Sequence, residues 1–353
     1  MTSDISVIIC AYTEKRWSEL IEAIESVQRQ TLPPKEIIVA IDRNPSLLLR
    51  LQEKIAGVIV MENSEAKGAS GARNSGATVA QGIILAFLDD DAAAHPDWLR
   101  NLTACYTNPQ VVGVGGKIEP RWGGRRPSWF PEEFNWVIGC SYRGLPSEIT
   151  PVRNVIGANM SVRKDILTLV GGFRESFGNN KSTETTQGGS KWFHHRAGDE
   201  ETEFCIRVTQ QVPGSKWFYT PSAVVHHYVP PQRTRWSYFM WRCYDEGLGK
   251  ASLVKLHNTS TGLSSERTYT FQTLPQGMAR GLADTFSLRD LSGALRAGAI
   301  VSGLAITTAG YLVGRIFSRI TALRKACLLP ASHHHTAEVR PPIEVQPENL
   351  AAK

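Results

Sequence analysis

Over the first third of the chain, apolar and polar positions fall into two alternating kinds of block. Residues 5–10, 37–41, 58–61 and 83–88 are short, nearly continuous apolar runs rich in β-branched side chains. Runs of that length read as strands covered on both faces. Between them the period becomes helical. Residues 17–30 set Leu20, Ile21, Ile24 and Val27 on one side, 47–55 read as a second helix, and 68–80 as a glycine-rich turn opening a third. Strand and helix in alternation predict βαβ units, hence an α/β fold with a mostly parallel central sheet flanked by helices.

The pattern loosens beyond Val111. Gly113, Gly115 and Gly116 punctuate a short strand, and residues 121–136 are rich in Trp, Pro and Arg. Residues 154–161 (Asn-Val-Ile-Gly-Ala-Asn-Met-Ser) lead into a helix from Arg163 and a turn at Gly171-Gly172-Phe173. The polar, glycine-rich stretch 174–198 predicts a mobile loop, and 331–353, rich in Pro, Glu, His and Ala, a disordered tail. One later segment stands apart: 297–314 carries no charge and is bounded by Arg296 and Arg315. Its length is at the lower limit for crossing a bilayer, and its basic flanks suit an anionic leaflet. The expectation is membrane association, peripheral or single-pass.

Composition narrows the classes. At 353 residues there is room for one large domain or two smaller ones. The net charge of +6 comes without a Lys/Arg cluster interleaved with aromatics, so no nucleic acid is expected as a partner. The six cysteines scatter without a CxxC pair, which predicts neither a zinc site nor a disulfide framework. Residues 1–9 show no basic region followed by a long apolar run, so no signal peptide is expected and the catalytic part is placed in the cytosol.

The most pointed chemistry is at Phe87-Leu88-Asp89-Asp90-Asp91, an apolar strand ending in three consecutive carboxylates. Adjacent acids repel unless a cation sits between them, and Mg²⁺ or Mn²⁺ favours carboxylate and phosphate oxygens. Carboxyl ends of strands in an open α/β sheet are also where ligands bind. A second acidic run, Asp199-Glu200-Glu201-Thr202-Glu203, opens a predicted helix. Crowding there favours raising one carboxyl's pKa, as a general base requires.

Four features in order, namely Ala11-Tyr12 after the first strand, Asp42 after the second, the Gly68 to Asn74 turn, and the acidic strand end, resemble the family 2 glycosyltransferases of the GT-A fold. The likeness extends over roughly residues 4–250. It implies a nucleotide-sugar donor, a UDP-sugar before others, and Mg²⁺ or Mn²⁺ as cofactor. Asp89 and Asp91 fall on the family's DxD acids, with Asp91 on the metal, Asp89 on ribose or metal, and Asp90 as spacer. The likeness implies that Tyr12 stacks on the base and Asp42 accepts from it, and Arg73 is a candidate to pair with phosphate; a single acid, in Ile41-Asp42-Arg43-Asn44, stands where the family usually has two.

The likeness puts the catalytic base at Glu201, with Glu200 or Asp199 as alternatives. A His after Pro221-x-Ala223-x-Val225 completes the metal shell, and His227 aligns better than His226. In the segment 233–249, Arg235, Arg242 and Tyr238 suit a lipid phosphate on the acceptor, and basic residues in 122–126 a uronate carboxylate. The implied division is a donor half at 1–115, an acceptor and base half at 116–250, a membrane-associating helical region at 251–330, and the tail. The subfamily likeness is to prokaryotic enzymes that transfer hexuronic acid or hexose to polyprenyl- or dolichyl-phosphate-linked sugars, which implies a lipid-linked or glycan acceptor at the cytoplasmic face of the membrane. Two rivals remain: a nucleotidyltransferase, which normally carries a basic glycine-rich loop that residues 10–16 lack, and a non-catalytic membrane scaffold that binds nucleotide sugar, which the intact acids oppose.

Overall fold

The structure is a computed structural model and describes residues 3–175, 199–257 and 266–328, with side chains as far as Phe317. Most of the predicted loop at 174–198, and all of the tail at 331–353, lie outside those residues.

Three βαβ steps build the first half: β1 (Ile5–Ala11), α1 (Trp17–Gln28), β2 (Glu36–Ile41), α2 (Pro45–Lys54), β3 (Ile59–Glu62), α3 (Ala69–Val79) and β4 (Ile84–Asp89). All pairings among these strands are parallel, in the order β3-β2-β1-β4. Strand alternation explains the two-sided core. From β1, Ile5, Val7 and Ile9 join Leu20, Ile24 and Val27 of α1 on one face, while Ile8 meets Ala77 of α3 on the other. Asn44 starts α2 by accepting from the Leu47 amide at 3.1 Å, with Pro45 at the first helical position.

The second half departs from the parallel expectation. After the acidic turn come β5 (Ala92–Ala94), α4 (Trp98–Thr103), β6 (Val111–Trp122), β7 (Thr150–Val152), β8 (Asn159–Arg163), α5 (Lys164–Leu169), α6 (Glu200–Gln211) and β9 (Lys216–Val229). β8 enters antiparallel between β4 and β6, β6 pairs parallel with β9, and β5 and β7 run antiparallel to β9. The sheet is therefore mixed. The glycine-punctuated stretch is one long strand rather than a short one, because its glycines admit bulky neighbours. A Cβ on Gly113 would lie 2.0 Å from the Trp217 ring.

Among the described residues, three long helices follow β9: α7 (Trp236–His257), α8 (Leu274–Phe286) and α9 (Gly293–Leu328). α9 packs on α7, and α8 folds back against α9 with Gly281 meeting Gly293 backbone to backbone. Phe239 and Cys243 of α7 and Ile300 of α9 join the core face that also holds α1 and α4.

Candidate active site

The carboxyl ends of β1, β2 and β4 open onto a cavity of about 1500 Å³ that also reaches α6, β9, α7 and α9. The chain turns sharply after Asp89, and β5 then pairs antiparallel with β9 so that Ala92 sits opposite His227. The Tyr228 amide donates to the Asp91 carbonyl at 2.7 Å. This stitching brings His227 Nε2 to 3.2 Å from Asp91 Oδ1. Strand parity settles which histidine faces inward: the His227 side chain is 4% exposed beside Asp91, whereas His226 is 44% exposed and lies near Glu119. Ligand atoms of Asp89, Asp91 and His227 all lie within 4.8 Å of one another. Two carboxylates and an imidazole so spaced fit a hard to borderline divalent cation.

Charges around this cluster are balanced by cations. Arg16 Nη1 is 2.7 Å from Asp90 Oδ1 and 3.1 Å from Asp91 Oδ2, and Arg233 Nη2 is 3.9 Å from Asp91 Oδ2. Burial alone would raise the Asp91 carboxyl, but His227, Arg16 and Arg233 hold it below the ordinary carboxylate range. Burial likewise opposes charge on His227, yet Asp91 lifts that imidazole to about 10. Burial first, with the charges of Asp91 and Asp89, pushes Asp90 up to about 7 against the pull of Arg16.

Behind β4, the α3 residue Arg73 is buried among acids. Its guanidinium lies 3.0 Å from Glu201 Oε1, 3.3 Å from Glu200 Oε1 and 3.7 Å from Asp89 Oδ1. Arg73 lines the cavity, but its ion pairs in this structure are with three carboxylates, and its guanidinium lies 5.4 Å from the Phe173 ring centre. Burial first, then the charge of Glu200, push the Glu201 carboxyl up to about 8 against the pull of Arg73. A carboxyl so poised, on the cavity wall, has the properties of a general base. Glu203, two residues on and so on the other side of α6, is fully buried and held by Arg207 Nε at 3.0 Å and Arg174 Nη1 at 3.0 Å. Arg207 Nη2 also donates to the Gly172 carbonyl at 2.7 Å, so this pair pins the Gly171-Gly172 turn to α6.

On the donor side, Ala11, Tyr12 and Asp42 all line the cavity. Tyr12 is exposed, with the Arg16 guanidinium 5.5 Å from its ring centre. Asp42 accepts from Asn63 Nδ2 at 2.9 Å and from the Gly68 amide at 3.0 Å, tying the second strand to the glycine turn. Across the cavity, Tyr238 and Arg242 form part of the wall, with Arg242 Nη1 3.0 Å from Asp245 Oδ2. Arg235 is exposed and does not line the cavity; its neighbour Arg233 does. The basic residues near 122–126 also stand elsewhere: Arg126 is committed to Glu132 at 3.2 Å, and Arg125 is exposed.

Sequence reasoning missed several wall residues. Arg16 carried one available signal, since it follows the carboxyl end of β1, where ligands of such sheets bind. The ion-pair network on the far wall had none. Lys250 Nζ lies 3.0 Å from Glu246 Oε1 and 2.8 Å from Glu266 Oε1, and Arg153 Nη1 is 3.1 Å from Glu266 Oε2. Asp199 is buried close to Glu246, and burial, then that charge, raise its carboxyl well above the ordinary range.

Comparison with known proteins agrees with this geometry. A family model described as glycosyl transferase family 2 matches residues 6–170. A glucosyl-dolichyl phosphate glucuronosyltransferase of Haloferax volcanii is 36% identical over 257 residues, 72% of this chain and 78% of that protein. The succinoglycan biosynthesis protein ExoM of Rhizobium meliloti is 26% identical over 70% of this chain and 74% of its own. Among solved structures, a mannosyltransferase of Pyrobaculum calidifontis in complex with GDP-Man and Mn²⁺ superposes with a TM-score of 0.53 at 16% identity, covering 91% of this chain and 88% of that one. That likeness is one of fold.

Proposed function

The chain belongs to glycosyl transferase family 2, and from that premise we propose that it is an inverting transferase. It moves a hexosyl or hexuronosyl group from a nucleotide sugar, a UDP-sugar before others, to a lipid-linked saccharide at the cytosolic face of a membrane. One observation carries the reading. A single cavity holds both a metal-competent cluster and a largely buried carboxyl poised near neutrality, with the Arg73 guanidinium bridging Asp89 and Glu201.

In this reading Asp89, Asp91 and His227 would hold Mg²⁺ or Mn²⁺. The cation supplies counter-charge to the departing nucleoside diphosphate. Tyr12 offers its ring face to the base, and Ala11 and Asp42 border the nucleoside. Glu201, ionised, takes the proton of the acceptor hydroxyl as that oxygen bonds to the anomeric carbon and the bond to the diphosphate breaks. Arg73 keeps the Glu201 carboxylate on the cavity side and limits how far burial raises it. Tyr238 and Arg242 stand on the acceptor wall, where a phosphate would meet a guanidinium. The Haloferax relative, named for a glucosyl-dolichyl phosphate acceptor and a glucuronosyl donor, supports that choice of substrates.

The test is a screen of nucleotide sugars for hydrolysis, with Mn²⁺ and with chelator, followed by transfer to polyprenyl- and dolichyl-phosphate-linked sugars. Cation-dependent release of nucleoside diphosphate from one donor, and product on a lipid-linked acceptor, are expected. Turnover indifferent to chelator, or confined to soluble acceptors, would overturn the reading.

A further inference from the structure

The stretch Gly293–Phe317 of α9, with mean hydropathy 1.5, is long and apolar enough to cross a membrane. Its packing says otherwise. Along one side α9 is fitted to α7 at backbone distance: a Cβ on Gly247 would lie 2.1 Å from the Thr307 carbonyl oxygen, and one on Gly310 2.2 Å from that of Tyr244. No acyl chain fits between the two helices. α7 carries Arg242, Asp245, Glu246 and Lys250, charges that are costly within hydrocarbon. α9 cannot enter the bilayer core without taking α7 along.

The opposite side of α9 is unusual for a surface helix. Leu295, Val301, Ala305, Leu312 and Ile316 are exposed and recur every four to seven residues along one face, a stripe without a charge. A surface helix ordinarily turns its polar side outward. The antiparallel neighbour α8, with the turn of helix Tyr269–Thr273 before it, repeats the pattern: Phe271, Pro275, Ala279, Leu282 and Phe286 form a second exposed apolar row. The turn between the helices presents Leu288, 80% exposed, in a left-handed conformation at φ +56° that a branched side chain rarely adopts. Arg267 and Arg289, both exposed, stand at the two ends of the α8 row.

We propose that this two-helix face binds a bilayer monotopically, lying in the plane of the boundary between headgroups and acyl chains, and that α9 does not cross. It deepens the membrane part of the functional reading above and rests on it for its purpose. The occupant is lipid rather than a second copy for two reasons. Arg267 and Arg289 suit anionic headgroups at both ends of the apolar row. Thr307, Thr308 and Tyr311 of the same α9 also line the active cavity, so a bilayer on this face brings lipid-linked substrate to the cavity wall.

Vesicle flotation of the full chain tests the proposal, with phosphatidylcholine alone and with added phosphatidylglycerol. Binding is expected to be stronger with the anionic lipid, and the double variant Leu282→Asp, Phe286→Asp to weaken it at least about tenfold, since two apolar side chains leave the lipid. The same variant should turn over a soluble acceptor analogue at the native rate. A depth-quenched fluorophore on Val301→Cys and on Leu312→Cys should report equal, shallow positions. A spanning helix would separate them by roughly 16 Å at 1.5 Å per residue, and that result overturns the proposal. So does a lipid-independent dimer that protects both rows. Transfer to lipid-linked acceptors by a chain that ignores vesicles also overturns it, while leaving the functional reading standing. Vesicle binding without transfer supports it and removes that reading.

Discussion

Two acidic clusters face each other across Arg73, built from the same residue types and set to opposite tasks. At the end of β4, buried Asp91 meets His227, Arg16 and Arg233, and its carboxyl is held below the ordinary range. At the start of α6, Glu201 shares one guanidinium with Glu200 and Asp89, and burial drives it to about 8. Similar burial gives a permanent anion in one place and a proton acceptor in the other. The ratio of cations to carboxylates decides which. Glu203, in the same run as Glu201 but matched by Arg207 and Arg174, belongs with neither task and serves to hold the helix.

The sharpest way to break the contrast is Glu201→Gln. It keeps shape and removes the proton acceptor, so transfer should fall about 10²- to 10⁴-fold while donor binding by calorimetry is retained. An active Glu201→Gln beside an inactive Glu200→Gln would move the base by one residue. The pH dependence carries the same signature. Because the base must be ionised, kcat/KM of the native enzyme should climb as pH rises through about 8. Stability runs the other way. The folded chain holds a proton on Glu201 that the unfolded chain releases near 4.5, so stability declines between about 4.5 and 8 as pH rises, and Glu201→Gln should flatten that decline in Tm.

Next in size is Asp91→Ala, expected to lower transfer about 10²- to 10³-fold, the scale of one lost transition-state stabiliser. Full activity in this variant, or in native enzyme under chelator, would remove the metal assignment. His227→Gln tests the imidazole more gently. Mn²⁺ affinity measured by calorimetry should fall at least about tenfold, with α-helical content unchanged. The smallest effect on chemistry belongs to Glu203→Gln: transfer within about twofold of native, but a lowered Tm, because the partners left behind are a buried guanidinium and the turn it pins.

How much of this could be read beforehand differs between the same two clusters. The Asp triplet announces itself because a buried apolar strand ending in three acids has few physical explanations, and strand parity along Val225 and His227 points to the imidazole. The first-half elements were legible for a similar reason, since βαβ periodicity is local. The mixed second half was not. β8 lies antiparallel between β4 and β6, a pairing between distant segments that no local period encodes, and the glycines at 113, 115 and 116 read as breaks although they admit Trp217 and other neighbours. Arg233 and Arg235 look equivalent in sequence; only the turn at Pro231–Thr234 shows which one reaches Asp91. The network of Arg153, Lys250 and Glu266 joins three remote segments and left no spacing to recognise.

The pairing of β5 with β9 has a consequence in time as well as in space. Asp91 and His227 are partners from distant parts of the chain, and the strand that brings the imidazole follows almost the whole sheet. Until β9 docks, the three acids have neither His227 nor Arg233 beside them, and only Arg16 and Arg73, which precede them in the chain, offset their repulsion. Long-range pairings of this kind close late, because the loop they span must be ordered first. The matched family segment, residues 6–170, ends before β9 and before Glu201. A chain clipped before α6 would therefore carry the Asp triplet without Glu201 or His227 to use it.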